Sequence, residues 1–374
     1  MQKKNILFFT CFNLRSIQME SSIYYFQKKG YTVYFLTTCP KGALHAELER
    51  NGIVTDAIPP VSSSKVMYYI HLIRFLITHV KKYKIAFVHS YLQIPNLIAS
   101  ISRFFMKAEV FTVRHNSDVI WLNGTKKEQT IEKLINRFSK NIIAISDKVK
   151  EQLIIRENVP ARKVHRINNG YDFAEYDKLS AGSDAFLAIK QQYPADLLIV
   201  SPGRLIKTKR HDLGIESFKT FKSKGFNIKL LILGDGPEQE TLQKQIAEAG
   251  LTEMIFLAGY DEKISDYIKA ADVVSLLSES EASNNTVKEA GYFEKTVIAC
   301  ENTGDFSDYI VNEKNGFLVD KQNPVPGFTH CIEQIYADKT RFTALGKSLK
   351  QTVLREFDIE AVGKKYEELQ NEKH

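Results

Sequence analysis

Glu281 and Glu289 stand in the run Ser278-Glu279-Ser280-Glu281-Ala282-Ser283-Asn284-Asn285-Thr286-Val287-Lys288-Glu289-Ala290, the part of the chain richest in side chains that could do chemistry. The apolar run Asp272–Leu277 ahead of it reads as a buried strand, Val287–Phe293 has helix-forming composition, and Thr296–Cys300 reads as another strand. Strand, polar loop, helix and strand make a βαβ unit, whose ligand crevice lies at the carboxyl ends of the strands. Ser283, Asn284 and Asn285 are all good N-cap residues, so the helix is expected to begin among them. Its first turn then offers unpaired N–H groups and about half a positive charge, a seat for phosphate. Glu281 falls in the loop and Glu289 about one turn into the helix. This is a poor arrangement for an acid and a base acting on one bond, and a better one for holding two parts of an elongated ligand.

Cations gather at a second strand end. The run Leu197–Leu205 starts a new sheet and closes on Gly203-Arg204-Leu205, followed by Lys207, Lys209 and Arg210. Arginine offers a fork that binds phosphate bidentately and lysine a point charge; the competing reading is a solvated basic turn. Leu230–Glu238 ends in Gly234-Asp235-Gly236-Pro237, but Gln239 stands where the third glycine of a dinucleotide fingerprint belongs. Ile255–Tyr260 ends in Gly259 and Tyr260. In the first half, Phe111-Thr112-Val113 runs into Arg114-His115-Asn116, which puts His115 at a strand end.

Taken in order, these stretches resemble the family 4 retaining glycosyltransferases, whose fold is GT-B: two doubly wound, Rossmann-like α/β domains facing a cleft. Glu281 and Glu289 match the family's E-x7-E signature, and Arg204 and Lys209 match its "GRL" with a lysine five residues on. Gly234–Pro237 matches "GDGP", Asn141–Ser146 resembles "IIAVS", Asn315–Val319 matches a final strand motif, and Ile167–Asp172 resembles "PNGVD" with Asn168 replacing the proline. The resemblance implies an acceptor-binding domain over 1–178, a nucleotide-sugar domain over 179–356 and a last helix over 357–374 packing back on the first domain. Residues 180–195 form the connection. The resemblance also implies site roles. Glu281 faces the sugar hydroxyls, Glu289 holds the ribose, Arg204 and Lys209 neutralise the diphosphate, His115 lies near sugar and phosphate, and the base lies near Gly259 and Tyr260. Gly203, Ser283, Asn284, Asn285 and Thr286 complete the donor site. The donor is expected to be a UDP- or GDP-linked sugar, used with retention and with no metal. No two aspartates are spaced D-x-D. Two departures stand out: Ala282–Thr286 replaces the usual "GFG" or "GFP", and the loop Cys11–Ser16 lacks the glycine pair common in relatives.

The chain has 374 residues, 44% apolar and 25% charged, ordinary for a globular protein and enough for two domains. Its net charge of +7 hides an asymmetry: residues 1–180 hold 27 Lys and Arg against 14 Asp and Glu, and the remainder is acidic. No nucleic-acid motif accompanies the basic half, so an anionic membrane surface is the better partner. Lys65–Lys82 is amphipathic and apolar but broken by His71 and Arg74, and Arg103–Lys107 adds a basic-aromatic spot. The competing reading of 65–82 is a core helix with one wet edge. Met1–Lys4 leads straight into a strand, no secretory signal is apparent, and the four cysteines have no metal or paired spacing. These features point to the cytoplasm, at the inner face of the membrane if the contact is made, and to a saccharide or lipid-linked acceptor. The rival functions are a nucleotide-sugar epimerase and a catalytically silent scaffold for another glycosyltransferase.

Overall fold

The computed structural model describes residues 4–60, 64–116, 120–121, 124–180 and 184–372; residues 181–183 of the expected connection lie outside this set. The chain divides into two compact units, residues 1–172 with 357–374, and residues 173–356.

The first unit is built on seven strands: β1 (Asn5–Thr10), β2 (Thr32–Thr37), β3 (Val54–Ala57), β4 (Phe87–Tyr91), β5 (Glu109–Arg114), β6 (Asn141–Ala144) and β7 (Val164–Arg166), in the order β3-β2-β1-β4-β5-β6-β7. All neighbours pair in parallel, so both sheet faces must be covered and the strands are apolar almost throughout. Phe8, Phe9, Phe35, Phe87 and Phe111 are fully buried. Sequence reading misses β3, an edge strand whose Val54 is exposed while Thr55 is buried, the reverse of the usual pattern. It also reads the fourth strand as Ile85–His89, two residues early at its start and two short at its end. Ile85 instead donates its N–H to Val80 O and closes the helix Lys65–Lys82, with Lys84 left-handed at φ 48°.

That helix runs from the carboxyl end of β3 to the amino end of β4, whereas Arg103–Lys107 lies just before β5. The exposed apolar residues of its first turns, Val66, Met67 and Ile70, therefore stand at the opposite end of the sheet from exposed Phe104 and Phe105. The apolar start of the helix thus forms no patch with Phe104 and Phe105, whereas its end, Val80 and Lys81, borders Phe104–Lys107.

The helix Ile359–Asn371 completes this unit. Phe357 belongs to the preceding helix, and the last helix starts at Ile359 because Asp358 caps it, accepting from Glu360 N–H at 2.9 Å. It lies on the helix Ile17–Lys28, where Tyr25 Oη donates to Glu367 at 2.8 Å. Gly363 allows the approach, since a Cβ there would fall 2.3 Å from the Tyr25 ring.

The second unit has six parallel strands: β8 (Leu197–Pro202), β9 (Ile228–Leu233), β10 (Ile255–Gly259), β11 (Val273–Leu276), β12 (Thr296–Cys300) and β13 (Phe317–Val319), ordered β10-β9-β8-β11-β12-β13. Strand order reverses between β8 and β11, as it does between β1 and β4 in the first unit. Ligands of such sheets bind outside the carboxyl ends at this reversal.

Candidate functional site

In the second unit the cationic loop follows β8 and the glutamate loop follows β11, so the two stand on either side of the reversal. Gly203 and Arg204 leave β8 under the tip of the neighbouring strand. Gly203 N–H donates to Leu233 O at 2.8 Å and Leu205 N–H to Asp235 O at 2.9 Å. A Cβ on Gly234 would fall 2.2 Å from Gly203 O, and one on Gly236 2.3 Å from Leu205 O. The two glycines of the Gly234–Pro237 stretch thus let the β9 tip press against the loop carrying Arg204. Arg204 is exposed and has no ion pair among the described residues. Lys209 packs its stem beside Gly203, 3.3 Å from where a Cβ would stand, and its ammonium pairs with Glu281.

Glu281 is the centre of this contact. Its Oε1 accepts from Lys209 Nζ, and from Asn284 Nδ2 at 3.1 Å. Gly304, at φ +55°, lies against it; a Cβ there would be 2.6 Å from Glu281 Cβ. Asn284 is the N-cap of the helix Asn285–Tyr292, within the expected span, but its side chain turns to Glu281 instead of capping. Ser283 donates to Asp305 at 2.7 Å. Asn285 is exposed at the helix start and Thr286 half-buried behind it. Glu289, one turn in, is buried and accepts from Ser265 Oγ. Burial pushes its carboxyl up to about 7, against the opposing hydrogen bond from Ser265. Gly259 takes φ +74° at the end of β10, and Tyr260 beyond it is 69% exposed, an open ring face.

His115 lies in the first unit, just past β5. Burial lowers its pKa to about 4, so the imidazole is neutral at pH 7, and its Nε2 is buried with no partner among the described residues. Its neighbour Arg114 is locked by buried Glu132 and Glu157, the second at 2.9 Å, which fixes the strand end that presents His115. In the loop after β1, Arg15 grips Glu20 through two bonds of 2.7 Å, so side chains hold a loop that lacks glycine.

Four residues to which sequence reasoning gave no role build this site: Ser265, Lys288, Asp305 and Arg210. Arg210 is left-handed at φ 51° and bridges three strand ends, donating to Leu277 O at 2.7 Å, Lys321 O at 2.8 Å and Cys300 Sγ at 3.2 Å. Its place beside Lys209 was the one available signal. Among the described residues no group of three His, Cys, Asp or Glu is arranged to hold a metal ion.

Two family models match the chain: "Glycosyltransferase Family 4" over residues 23–175 and "Glycosyl transferases group 1" over residues 184–351. A lipopolysaccharide core biosynthesis glycosyltransferase of Rhizobium meliloti is 28% identical over 48% of this chain and 52% of its own length. An N-acetylgalactosaminyltransferase of Campylobacter jejuni, named for a diphospho-undecaprenol-linked acceptor, is 23% identical over 67% of each chain. The chain thus spans about half to two thirds of the length of these curated relatives. Among solved structures, Anabaena HepE in complex with UDP superposes with a TM-score of 0.82 at 18% identity, covering 98% of this chain and 100% of that one. With the doubly wound sheets and the loops at their reversal, these matches identify the chain as a member of the family 4 glycosyltransferases, of the GT-B fold.

Proposed function

We propose that this chain moves a sugar from a nucleoside-diphosphate donor to a hydroxyl acceptor, with retention, in the synthesis of a cell-surface polysaccharide or glycolipid. The observation that carries the reading is the meeting of Lys209 and Glu281 at the strand reversal of the second unit, with Lys209 on a loop that also carries Arg204. In this reading Arg204 and Lys209 receive the departing diphosphate, and the first turn of the helix Asn285–Tyr292 adds N–H groups. Charge-assisted hydrogen bonds of this kind are worth about 1.5–3 kcal/mol each, which is the basis for proposing that the transfer needs no metal. Glu281 orients the sugar, Glu289 holds the ribose, the base stacks near Gly259 and Tyr260, and neutral His115 hydrogen-bonds sugar or phosphate. The acceptor hydroxyl attacks the oxocarbenium-like carbon on the face the diphosphate leaves. No covalent intermediate on Glu281 is required.

The surface-glycan reading draws on the relatives' names and on the surface of the first unit. No described helix is long and apolar enough to cross a membrane. The exposed Val66, Met67 and Ile70 stand at the crevice end of the sheet, where a lipid-linked acceptor would arrive. At the other end, Arg103 stacks over Phe104 at 4.5 Å, and Lys81, Lys84 and Lys107 surround an apolar cavity with Phe104 and Phe105. That end supplies a separate contact with anionic lipid on the cytoplasmic face.

A thermal-shift panel of UDP, GDP, ADP and dTDP with excess EDTA, run on wild type and Glu289→Gln, tests the donor site. A ligand at about 100 times its Kd stabilises by about 2.7 kcal/mol. Stabilisation of wild type but not of the variant by one nucleotide is the expected result. No shift with any of them would favour a silent scaffold.

A further inference from the structure

Beneath the Glu281 loop lies a buried ion pair to which none of these roles is assigned. Lys288 and Asp305 are both fully buried and joined Nζ to Oδ2. The Lys288 ammonium also donates to Ser283 Oγ and to Asn284 O, each at 3.0 Å. Asp305 accepts from Ser283 Oγ at 2.7 Å and from Asn284 N–H at 3.4 Å. Asn284 Nδ2 carries the chain of bonds on to Glu281 at 3.1 Å. The pair therefore grips two consecutive residues, one of which touches the carboxylate.

Burial alone works against this arrangement. It disfavours the charged form of Lys288, with Asp305 opposing that shift, and a buried ion pair is commonly no more stable than apolar residues of the same volume. Fold stability is thus a weak reason for a lysine in this helix. What the pair does achieve is local: it ties the 281–285 loop through side chains where a glycine-rich loop would pack by its backbone. Gly304, next to Asp305, packs against the same loop at Glu281.

We infer that Lys288 and Asp305 are positioning residues for Glu281, fixing the 281–285 loop so that its carboxylate stands beside Lys209 and setting how the donor sugar is held. The effect on the sugar rests on the donor reading above; the fixing of the loop does not.

The test compares wild type with Lys288→Met/Asp305→Leu, which removes both charges and leaves no buried ion unpaired. Hydrogen–deuterium exchange is expected to rise about tenfold or more in the peptide covering 279–286, with β11 and β12 unchanged. By calorimetry, UDP affinity is expected to stay within about twofold, while the extra affinity of UDP-glucose over UDP is lost and adding Glu281→Gln costs nothing further. Unchanged or uniformly raised exchange overturns the inference, as does a full Glu281→Gln effect in the double variant. If that variant does not fold, Ser283→Ala/Asn284→Ala removes the hydroxyl and amide links and must show the same local rise; protection at the wild-type level overturns the inference. If wild type binds neither UDP nor UDP-glucose, the UDP-donor reading fails, and the exchange result still decides the positioning.

Discussion

Lys209 and Glu281 form an ion pair across 72 positions of sequence, joining the loop after β8 to the loop after β11. The backbone repeats the join, with Glu279 N–H donating to Thr208 O at 2.8 Å. Both side chains are mostly buried, at 16% and 12% exposure, so salt screens the pair less than it would a surface one. In the proposed reading, a donor bringing diphosphate and sugar to this point engages both partners. Lys209→Met and Glu281→Gln are each expected to lower kcat/KM by about 10²–10³, and the double variant by far less than the product. Multiplying losses in steady-state transfer assays would show that the two act separately.

Arg210 joins strand ends and does not face the ligand in this reading. Lysine cannot reach two carbonyls and a thiol at once. Arg210→Lys is expected to lose about 1.5–3 kcal/mol of stability, read as a lower urea midpoint with an unchanged slope. A wild-type midpoint would show that the staple contributes nothing.

Glu289 gives the site a pH dependence of defined sign. Its folded-state pKa, about 7, lies above the ordinary carboxyl value because of burial. Between the two values the folded chain holds the proton more tightly, so this group's favourable contribution is present at low pH and lost as pH rises towards 8. Glu289→Gln is expected to match wild type in stability near pH 4 and to exceed it by about 1–3 kcal/mol at pH 8. In the proposed reading, ribose hydroxyls donate to the ionised form. UDP affinity of wild type is therefore expected to rise about tenfold from pH 6 to pH 8 and that of the variant to stay flat. A flat calorimetric profile in wild type would remove Glu289 from the ribose contact.

The two exposed apolar spots of the first unit can be separated by experiment. Met67→Asp/Ile70→Asp is expected to abolish flotation with anionic vesicles together with transfer to a lipid-linked acceptor. Phe104→Asp/Phe105→Asp is expected to weaken flotation alone. Flotation unaffected by either pair would dismiss the membrane contact.

The architecture was legible where apolar runs are continuous. Thr296–Cys300 was read to the residue, and Asn284 fell within the expected start of its helix. The strand read as Ile85–His89 started early because apolar Ile85 closes the preceding helix, and stopped short because Ser90, which follows, is polar yet buried. The candidate site was legible only through side chains that match a known motif. Lys288 is fully buried, although lysine in a helix reads as a solvated face. Its partner Asp305 lies 17 positions on, and Ser265 lies 24 positions before Glu289. Partnerships across such distances leave no trace in local pattern, because tertiary packing decides them.

The last helix has a consequence for how the protein is made. Gln370 meets buried His89 at 3.0 Å, Tyr171 N–H bonds Phe357 O at 2.9 Å, and Tyr366 packs against Phe26. The sheet that leaves the ribosome first therefore lacks one of its covering helices until all of the second unit has been synthesised. Domains usually fold in order of synthesis; here the second unit can close before the first. Protease protection of stalled nascent chains should appear in 173–356 ahead of the β1–β7 sheet, and a chaperone that shields Tyr25 and Phe26 would find its client in that interval.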